Sequence, residues 1–267
     1  MREKLKNAKR IVVKVGTTTL THQSGRLHFE RMDKLALVLS DLMNDGKEII
    51  LVTSGAIGVG VSKLKWSGRP EKIEARQAAA AVGQSELMHL YAKFFGEYGY
   101  VVAQILLTSD VFEKDILKRN VQNTFETLIK ENVIPIVNEN DPIATEELEG
   151  SKSMENDRLS ALVAKVVHAD LLILLSDIDG FYTDNPKKNP EAKLIEIVED
   201  LNDELMEKGK GSSTTLGTGG MSTKLKAAQI VMDEGIDMII AQGEDPSCLY
   251  DIFKAKNIGS YFKGKQK

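Results

Sequence analysis

The stretch from residue 211 to residue 224 is rich in glycine, serine and threonine and ends in a lysine, Lys224. Such a segment has few side chains for a core, but it offers bare backbone N–H groups and many hydroxyl donors. Apolar residues recur at helical spacing directly after it, which would place Lys224 at a helix start, where anions bind. We predict that this segment binds a nucleotide phosphate. The same composition is also typical of a flexible surface loop.

The segment matches neither of two familiar glycine-rich phosphate motifs. In the Walker A motif, a glycine precedes the lysine and a serine or threonine follows it. Here Thr223 precedes Lys224, and Leu225 follows it. The Rossmann fingerprint does not fit either. The sequence therefore indicates a different class of phosphate-binding protein.

A lysine inside a predicted strand is the second candidate for anion binding. Residues 10–15 predict a buried strand that contains Lys14 and ends at Gly16. Burying a lysine is costly unless its ammonium group reaches an anion, although an edge strand with Lys14 facing solvent would also explain the pattern. The turn Ser54-Gly55, after the predicted strand 48–53, offers backbone amides to an anion, but glycine there could serve geometry alone.

Polar residues follow two more predicted strands. Asn138 to Asp141 come directly after strand 133–137, at the end of a strand where open α/β sheets place their ligands. An Asx turn before Pro142 would explain only part of this group. Asn156 and Asp157 precede an apolar helix, and helix capping would account for one of them.

Two aspartates follow the predicted strand 171–175. Asp177 and Asp179 have the spacing of a metal pair, but carboxylates after a strand can also hold a loop by accepting hydrogen bonds from amides. We favour the loop and predict no metal site formed by protein ligands.

The remaining pattern alternates strands and helices, which predicts an α/β fold with a mostly parallel sheet. Helices are expected over 32–43, over 74–90 with a break near Gly83-Gln84, and over 120–131. Further strands are expected over 100–107, 236–241 and 258–262, with a polar flap over 146–154. Small residues in helix 74–90 predict close packing on a neighbouring helix or subunit, although an ordinary core helix is the simpler interpretation.

The bulk composition narrows the class of protein. The chain has 267 residues, 42% of them hydrophobic, which suffices for a sizeable core. A net charge of −4 argues against bulk binding to nucleic acid or to an anionic membrane. The single cysteine, Cys248, excludes an intrachain disulfide framework and a cysteine-type zinc site. With no apolar leader at the start, we expect a cytoplasmic protein.

Taken together, these residues resemble the amino acid kinase family over nearly the whole chain. The similar features are Lys14 with Gly16, the turn 53–56, the Ala-rich segment 77–84, Asn138 to Asp141, Asn156 with Asp157, Ser176 with Asp177, and 217–224. Segments 77–84 and 138–141 are particular to the members that phosphorylate glutamate. Residues 152–155 depart from the aromatic-Gly-acidic lead that is usual in the family. Many members carry a C-terminal PUA domain, and this chain is expected to be the short form without it.

The resemblance implies a fold and a reaction. The fold is an open, mostly parallel sheet between helices, in a single domain over 1–267 with an amino-acid lobe over about 1–170 and a nucleotide lobe over about 171–267. The reaction is transfer of the ATP γ-phosphoryl group to the side-chain carboxylate of L-glutamate, giving glutamyl 5-phosphate for proline synthesis. That carboxylate is already ionised at neutral pH, because its pKa is about 4.3, so no general base is required.

The resemblance also implies roles for individual residues. Lys14, Lys224 and Asp157 are expected to be catalytic, with Mg²⁺ bridging the nucleotide phosphates. The amino acid is expected at Ser54, Asp141 and Asn156. ATP is expected at Lys14, Gly16, Gly55, Ser176, Asp177, Thr218, Gly219, Gly220, Met221, Ser222, Thr223 and Lys224.

Partners follow from the same resemblance. It implies a homo-oligomer, a dimer or tetramer, with proline as a feedback inhibitor and a glutamyl phosphate reductase as a partner. Two alternatives stay open on the residues alone. One is a kinase for another acceptor, such as acetylglutamate, aspartate, carbamate or a nucleoside monophosphate. The other is a non-catalytic sensor of amino acids or nucleotides.

Overall fold

A computed structural model describes residues 1–22, 25–144, 154–186, 188–209 and 220–266 of the chain. These residues contain one sheet of eight strands. The strands are β1 (Arg10–Val15), β2 (Glu48–Val52), β3 (Val102–Leu107), β4 (Ile134–Glu139), β5 (Leu171–Ser176), β6 (Ile197–Val198), β7 (Asp237–Gln242) and β8 (Ser260–Phe262).

The sheet has the order β3-β4-β2-β1-β5-β7-β8-β6, and the pairing is parallel except between β7 and β8. β1 is therefore a central strand. Lys14 lies opposite Val52 of β2 and Leu174 of β5, which excludes the interpretation of Lys14 as an edge residue facing solvent. The predicted fold class, an open and mostly parallel sheet between helices, is confirmed.

Helices cover both faces of the sheet. They are α1 (Thr17–Leu20), α2 (Phe29–Asn44), α3 (Ala56–Lys63), α4 (Ile73–Glu97), α5 (Asp110–Glu113), α6 (Asp115–Lys130), α7 (Asn156–Val166), α8 (Asp203–Lys208), α9 (Met221–Asp233) and α10 (Cys248–Phe253). Short 3₁₀ helices cover Arg2–Asn7 and Asp141–Ile143. None of the helices in the described ranges combines the length and apolar character needed to cross a bilayer.

Two hydrophobic cores lie on opposite faces of the sheet. Alternate residues of β1 enter different cores, because successive side chains of a strand point to opposite faces. Val13 and Val15 enter the core that includes residues of α2 and α4, whereas Val12 enters the core that includes residues of α7 and α9. By the same alternation, Lys14 lies on the face covered by α7 and α9.

The predicted break in the helix over 74–90 is wrong. α4 runs unbroken through Gly83, which serves close packing instead. A Cβ atom at Gly83 would lie 1.8 Å from the carbonyl oxygen of Ala56, and one at Gly60 would lie 1.8 Å from that of Ala79. Only glycine allows the backbones of α3 and α4 to approach this closely. The predicted close packing of the Ala-rich helix therefore occurs within the chain.

Candidate active site

Three charged side chains meet at the carboxyl edge of the sheet. Lys14 extends from the end of β1, Asp157 lies in the first turn of α7, and Lys224 lies in the first turn of α9. Lys14 Nζ is 2.8 Å from Asp157 Oδ1, and Lys224 Nζ is 3.1 Å from Asp157 Oδ2. One carboxylate therefore holds two ammonium groups that lie 210 positions apart in the sequence (224 − 14). We call these three residues the charged centre.

The charged centre is buried. The exposed fractions are 9% for Lys14, 2% for Asp157 and 5% for Lys224. Burial alone would raise the pKa of Asp157, but the ammonium groups of Lys14 and Lys224 outweigh it and hold that pKa well below its usual range. The carboxylate is ionised at neutral pH, and the two lysine side chains around it make the centre suited to binding an anion.

Thr223 supports the charged centre. Its Oγ1 lies 2.7 Å from Asp157 Oδ2 and 2.8 Å from the carbonyl oxygen of Gly220, the residue before α9. Because Asp157 Oδ2 also faces Lys224, the hydroxyl fixes the carboxylate against the first turn of α9. The family resemblance implied that Thr223 binds ATP, which stays a prediction, and the structure shows its hydroxyl in contact with Asp157.

Two glycines lie beside the charged centre and the neighbouring strand end. Gly55 is the residue directly before α3, and its φ of 96° is a left-handed conformation that favours glycine. A Cβ atom at Gly16 would lie 3.6 Å from Lys14 Nζ, which places Gly16 directly beside the ammonium group. Ser54, which follows β2, is buried.

A second set of buried polar groups lies at the end of β4. Asn138 Nδ2 donates to Gln84 Oε1 of α4 at 2.9 Å, and Asn138 Oδ1 accepts the backbone N–H of Glu139 at 3.0 Å. Glu139 Oε1 then accepts the backbone N–H of Met154 at 2.9 Å, just before α7. We call Gln84, Asn138 and Glu139 the amide network. It connects α4 to the helix that carries Asp157.

Two predicted amino-acid ligands lie close to the amide network in the sequence. Asp141 begins the 3₁₀ helix that follows β4, and its side chain is half-buried. Asn156 is the first residue of α7. Its Oδ1 is buried and has no hydrogen-bond partner among the residues that the structure describes. A buried acceptor without a partner is rare in proteins, which makes Asn156 a candidate to receive a donor from a ligand.

The predicted nucleotide residues are only partly described. Ser176 is buried at the end of β5, and its hydroxyl donates to Asp177 Oδ1 at 3.1 Å. Asp177 and Asp179 are exposed, and Asp179 accepts the Tyr182 hydroxyl. Gly220, Met221 and Ser222 form the start of α9 with Thr223 and Lys224. Thr218 and Gly219 lie outside the described residues, as do the rest of the glycine-rich segment before Gly220 and most of the predicted flap.

The family resemblance implied that Lys14, Lys224 and Asp157 act together, and the structure brings the three side chains into contact. Their catalytic role stays a prediction. The described residues show no direct contact of Ser54 or Asp177 with that centre. Gln84 was noted only within the Ala-rich segment and received no role. The available signal was a glutamine at the end of a run of small, apolar residues over 78–83.

The charged centre is suited to binding and stabilising a phosphoryl group. Preorganised cations in a buried site stabilise charge that develops during reaction far better than they would in water. The first turns of α7 and α9 add their backbone N–H groups and positive dipole ends on the same edge. A mostly parallel α/β sheet with two buried lysines at its carboxyl edge is suited to phosphoryl transfer. The similarity of this chain to known proteins points to the same class of enzyme.

A model of the amino acid kinase family matches residues 9–242. A glutamate 5-kinase from Clostridium perfringens (strain 13 / Type A) is 52% identical over 267 residues, covering 100% of this chain and 99% of that protein. One from Listeria monocytogenes serovar 1/2a (strain ATCC BAA-679 / EGD-e) is also 52% identical, covering 100% and 97%. A structure of carbamate kinase from Giardia lamblia bound to AMP-PNP has a TM-score of 0.66 at 14% identity, covering 97% and 100%. The chain belongs to the amino acid kinase family.

Proposed function

We propose that this chain is a glutamate 5-kinase. It transfers the γ-phosphoryl group of ATP to the side-chain carboxylate of L-glutamate, which yields glutamyl 5-phosphate and ADP in the first step of proline biosynthesis. The observation that carries this proposal is the contact of Lys14 and Lys224 with one carboxylate, Asp157. The identity to glutamate 5-kinases over the full chain supports glutamate as the acceptor.

The central problem of this reaction is charge. A carboxylate oxygen of glutamate attacks the γ-phosphorus while the bond to the ADP oxygen breaks, and both reactants are anions. Phosphoryl transfer depends mainly on positioning and charge stabilisation. Lys14 and Lys224 supply two positive charges, and Asp157 fixes their ammonium groups before substrate arrives. The nucleophile needs no base, because it is ionised at neutral pH.

The amino acid is proposed to bind near the ends of β2 and β4. Asp141 provides a negative charge for its α-ammonium group, Asn156 provides a buried acceptor, and Ser54 provides a hydroxyl. The half of the chain over about 1–170 would form this amino-acid lobe.

ATP is proposed to bind on the other side of the charged centre, against the half over about 171–267. Gly16, Gly55 and Gly220 would offer backbone N–H groups to phosphate oxygens. The binding surface would be completed by Ser176, Asp177, Thr218, Gly219, Met221, Ser222 and Thr223. The carbamate kinase of the same fold was solved with AMP-PNP, which supports a nucleotide site on this architecture.

Mg²⁺ is proposed to arrive with the nucleotide. Within the described ranges, no three His, Cys, Asp or Glu side chains form a group suited to a metal ion. Both oxygens of Asp157 face ammonium groups, which leaves that carboxylate poorly placed as a ligand. The donor set therefore fits an ion whose ligands are mainly phosphate oxygens and water, as Mg²⁺ prefers. Bound there, it would neutralise phosphate charge.

Regulation and assembly complete the proposal. We infer that proline inhibits the enzyme at the amino-acid site, that the chain forms a homo-oligomer, and that a glutamyl phosphate reductase takes up the product. The chemical support for the last point is that an acyl phosphate hydrolyses readily and profits from rapid consumption. Titrating activity with proline tests the inhibition directly.

The experiment compares acceptors. ADP release by the purified protein is measured with MgATP and L-glutamate, N-acetylglutamate, aspartate, carbamate or UMP, and hydroxylamine traps any acyl phosphate as a hydroxamate. We expect glutamate to give a kcat/KM at least about 100-fold above the others. N-acetylglutamate, carbamate and UMP lack the free α-ammonium group that the site is proposed to bind, and the side chain of aspartate is one methylene shorter. A higher value with another acceptor would overturn the proposal. Binding of glutamate without ADP release would indicate a sensor instead.

A further inference from the structure

Three polar side chains on one face of α4, Gln77, Gln84 and Tyr91, make hydrogen bonds at the carboxyl edge of the sheet. They are seven residues apart, which is close to two helical turns and places them in one row. Their partners lie after β2 and at or after the end of β4. The contacts are Gln77 Nε2 to Ala144 O at 3.4 Å, Asn138 Nδ2 to Gln84 Oε1 at 2.9 Å, and Tyr91 OH with Thr53 Oγ1 at 2.7 Å.

The middle contact fixes the orientation of Asn138. Because Asn138 Oδ1 accepts the N–H of Glu139, its NH₂ group must face Gln84. Gln84 must therefore present its oxygen, and its own NH₂ group is left over. Gln84 Nε2 is buried and has no hydrogen-bond partner among the described residues. A buried donor in this state destabilises the folded protein, so an apolar residue would be better for stability alone.

The position of Gln84 connects both strand ends that were proposed to bind the amino acid. The preceding residue, Gly83, lies against Ala56 at the start of α3, which follows the end of β2. Asn138 lies at the end of β4, three residues before Asp141. Gln84 has an exposed fraction of 5%, so it acts on these segments from inside the protein.

We propose that Gln84 is a positioning residue for the amino-acid acceptor. It holds the carboxamide of Asn138, and through it the segment that ends at Asp141, in the orientation that binds substrate. This inference rests on the proposed function and deepens it. Gln84 does not touch the reacting atoms, so it sets the affinity for glutamate and leaves phosphoryl transfer and ATP binding nearly unchanged.

The test is Gln84→Met, which keeps the length of the side chain and offers Asn138 only a weak acceptor. We expect the KM for glutamate to rise about 5–30-fold, the equivalent of a lost buried hydrogen bond. The kcat should stay within about threefold, and the KM for ATP within about twofold. The matched control is Gln122→Met on α6, whose side chain contacts His168 away from this edge and should give wild-type constants.

A second variant tests the same hydrogen bond from its other end. Asn138→Ser is too short to reach Gln84 and should also raise the glutamate KM selectively, so it decides the matter if Gln84→Met does not fold. Combining both substitutions should add little to the larger single effect, since they remove one interaction. A folded Gln84→Met protein with unchanged glutamate KM, or with equal changes in both KM values, would overturn the proposal. Wild-type protein without glutamate-dependent ADP release would instead refute the proposed function.

Discussion

The charged centre and the amide network lie at the same edge of the sheet but solve different problems. In the charged centre, one buried carboxylate is matched by two buried ammonium groups, and each member depends on the others. The amide network is uncharged apart from Glu139, and it leaves the Gln84 NH₂ group without a partner in the described part of the chain. The first arrangement suits charge stabilisation and the second suits orientation.

Because of this difference, the two regions should respond differently to substitution. Removing one member of a buried ion group leaves the others uncompensated, so rate and stability should fall together. Removing one amide from a hydrogen-bonded chain shifts the orientation of its neighbour, so affinity should change first. A change mainly in kcat is therefore expected for the charged centre, and a change mainly in the glutamate KM for the amide network.

The largest effect is expected at Asp157. Asp157→Asn keeps the shape of the side chain but removes the charge that holds both ammonium groups. We expect kcat to fall about 10²–10³-fold. Because two buried lysines lose their counter-ion, Tm should fall by about 5–10 °C as well. Steady-state kinetics and thermal unfolding measure the two changes, with the exposed Asp45→Asn as the control. A variant with normal kcat would remove Asp157 from the charged centre.

The stability difference between wild type and Asp157→Asn should depend on pH. The pKa of Asp157 is lowered in the folded protein, so its contribution is complete above the unfolded pKa of about 3.9. It is lost progressively as the pH falls below that value toward the folded pKa. The gap in Tm between the two proteins should therefore be constant from pH 8 to about pH 5 and shrink below about pH 4. A gap that widens in acid would contradict the assigned charge state.

At Asp141, which follows the amide network in the sequence, substitution should change KM more than kcat. Asp141→Ala removes the proposed partner of the α-ammonium group, and hydrogen bonds to charged groups contribute about 1.5–3 kcal/mol. The glutamate KM should therefore rise about 10–100-fold, with a smaller effect on the ATP KM. Initial rates over both substrates measure this, and Asp115→Ala, an exposed residue in the first turn of α6, is the control. An unchanged glutamate KM would exclude Asp141 from the amino-acid site.

The smallest effect is expected at Thr223. Thr223→Val keeps the shape but removes the hydroxyl that lies 2.7 Å from Asp157 Oδ2. Asp157 still contacts both lysines, so we expect kcat to fall only about fivefold, which corresponds to about 1 kcal/mol. Thr223→Ser retains the hydroxyl and should restore most of the rate. Equal losses of kcat in Thr223→Ser and Thr223→Val would show that the hydroxyl contact with Asp157 does not cause the loss.

Two kinds of sequence information pointed to the charged centre. Lys14 stood out because a lysine inside a predicted buried strand is costly to bury, and Lys224 because it ends a glycine-rich segment at a predicted helix start. That these two lysines meet at Asp157 was implied by the family resemblance. The family and the fold class predicted from these residues are both confirmed.

The amide network could not be found in the same way. Whether a glutamine is buried, and which carboxamide it meets 54 residues away, depends on tertiary packing that no local pattern encodes. The wrongly predicted break at Gly83 has the same origin. A glycine inside a helix reads locally as a weak point, whereas here the backbone of α3 occupies the space of its missing side chain.

The turnover number of Lys224→Ala tests the central claim most directly. If Lys14 and Lys224 converge through Asp157 to let two anions react, Lys224→Ala should be a folded protein whose kcat is lower by about 10²–10³-fold. The control Lys226→Ala, at an exposed position two residues further along α9, should stay near wild type. Near wild-type turnover of purified Lys224→Ala would contradict it.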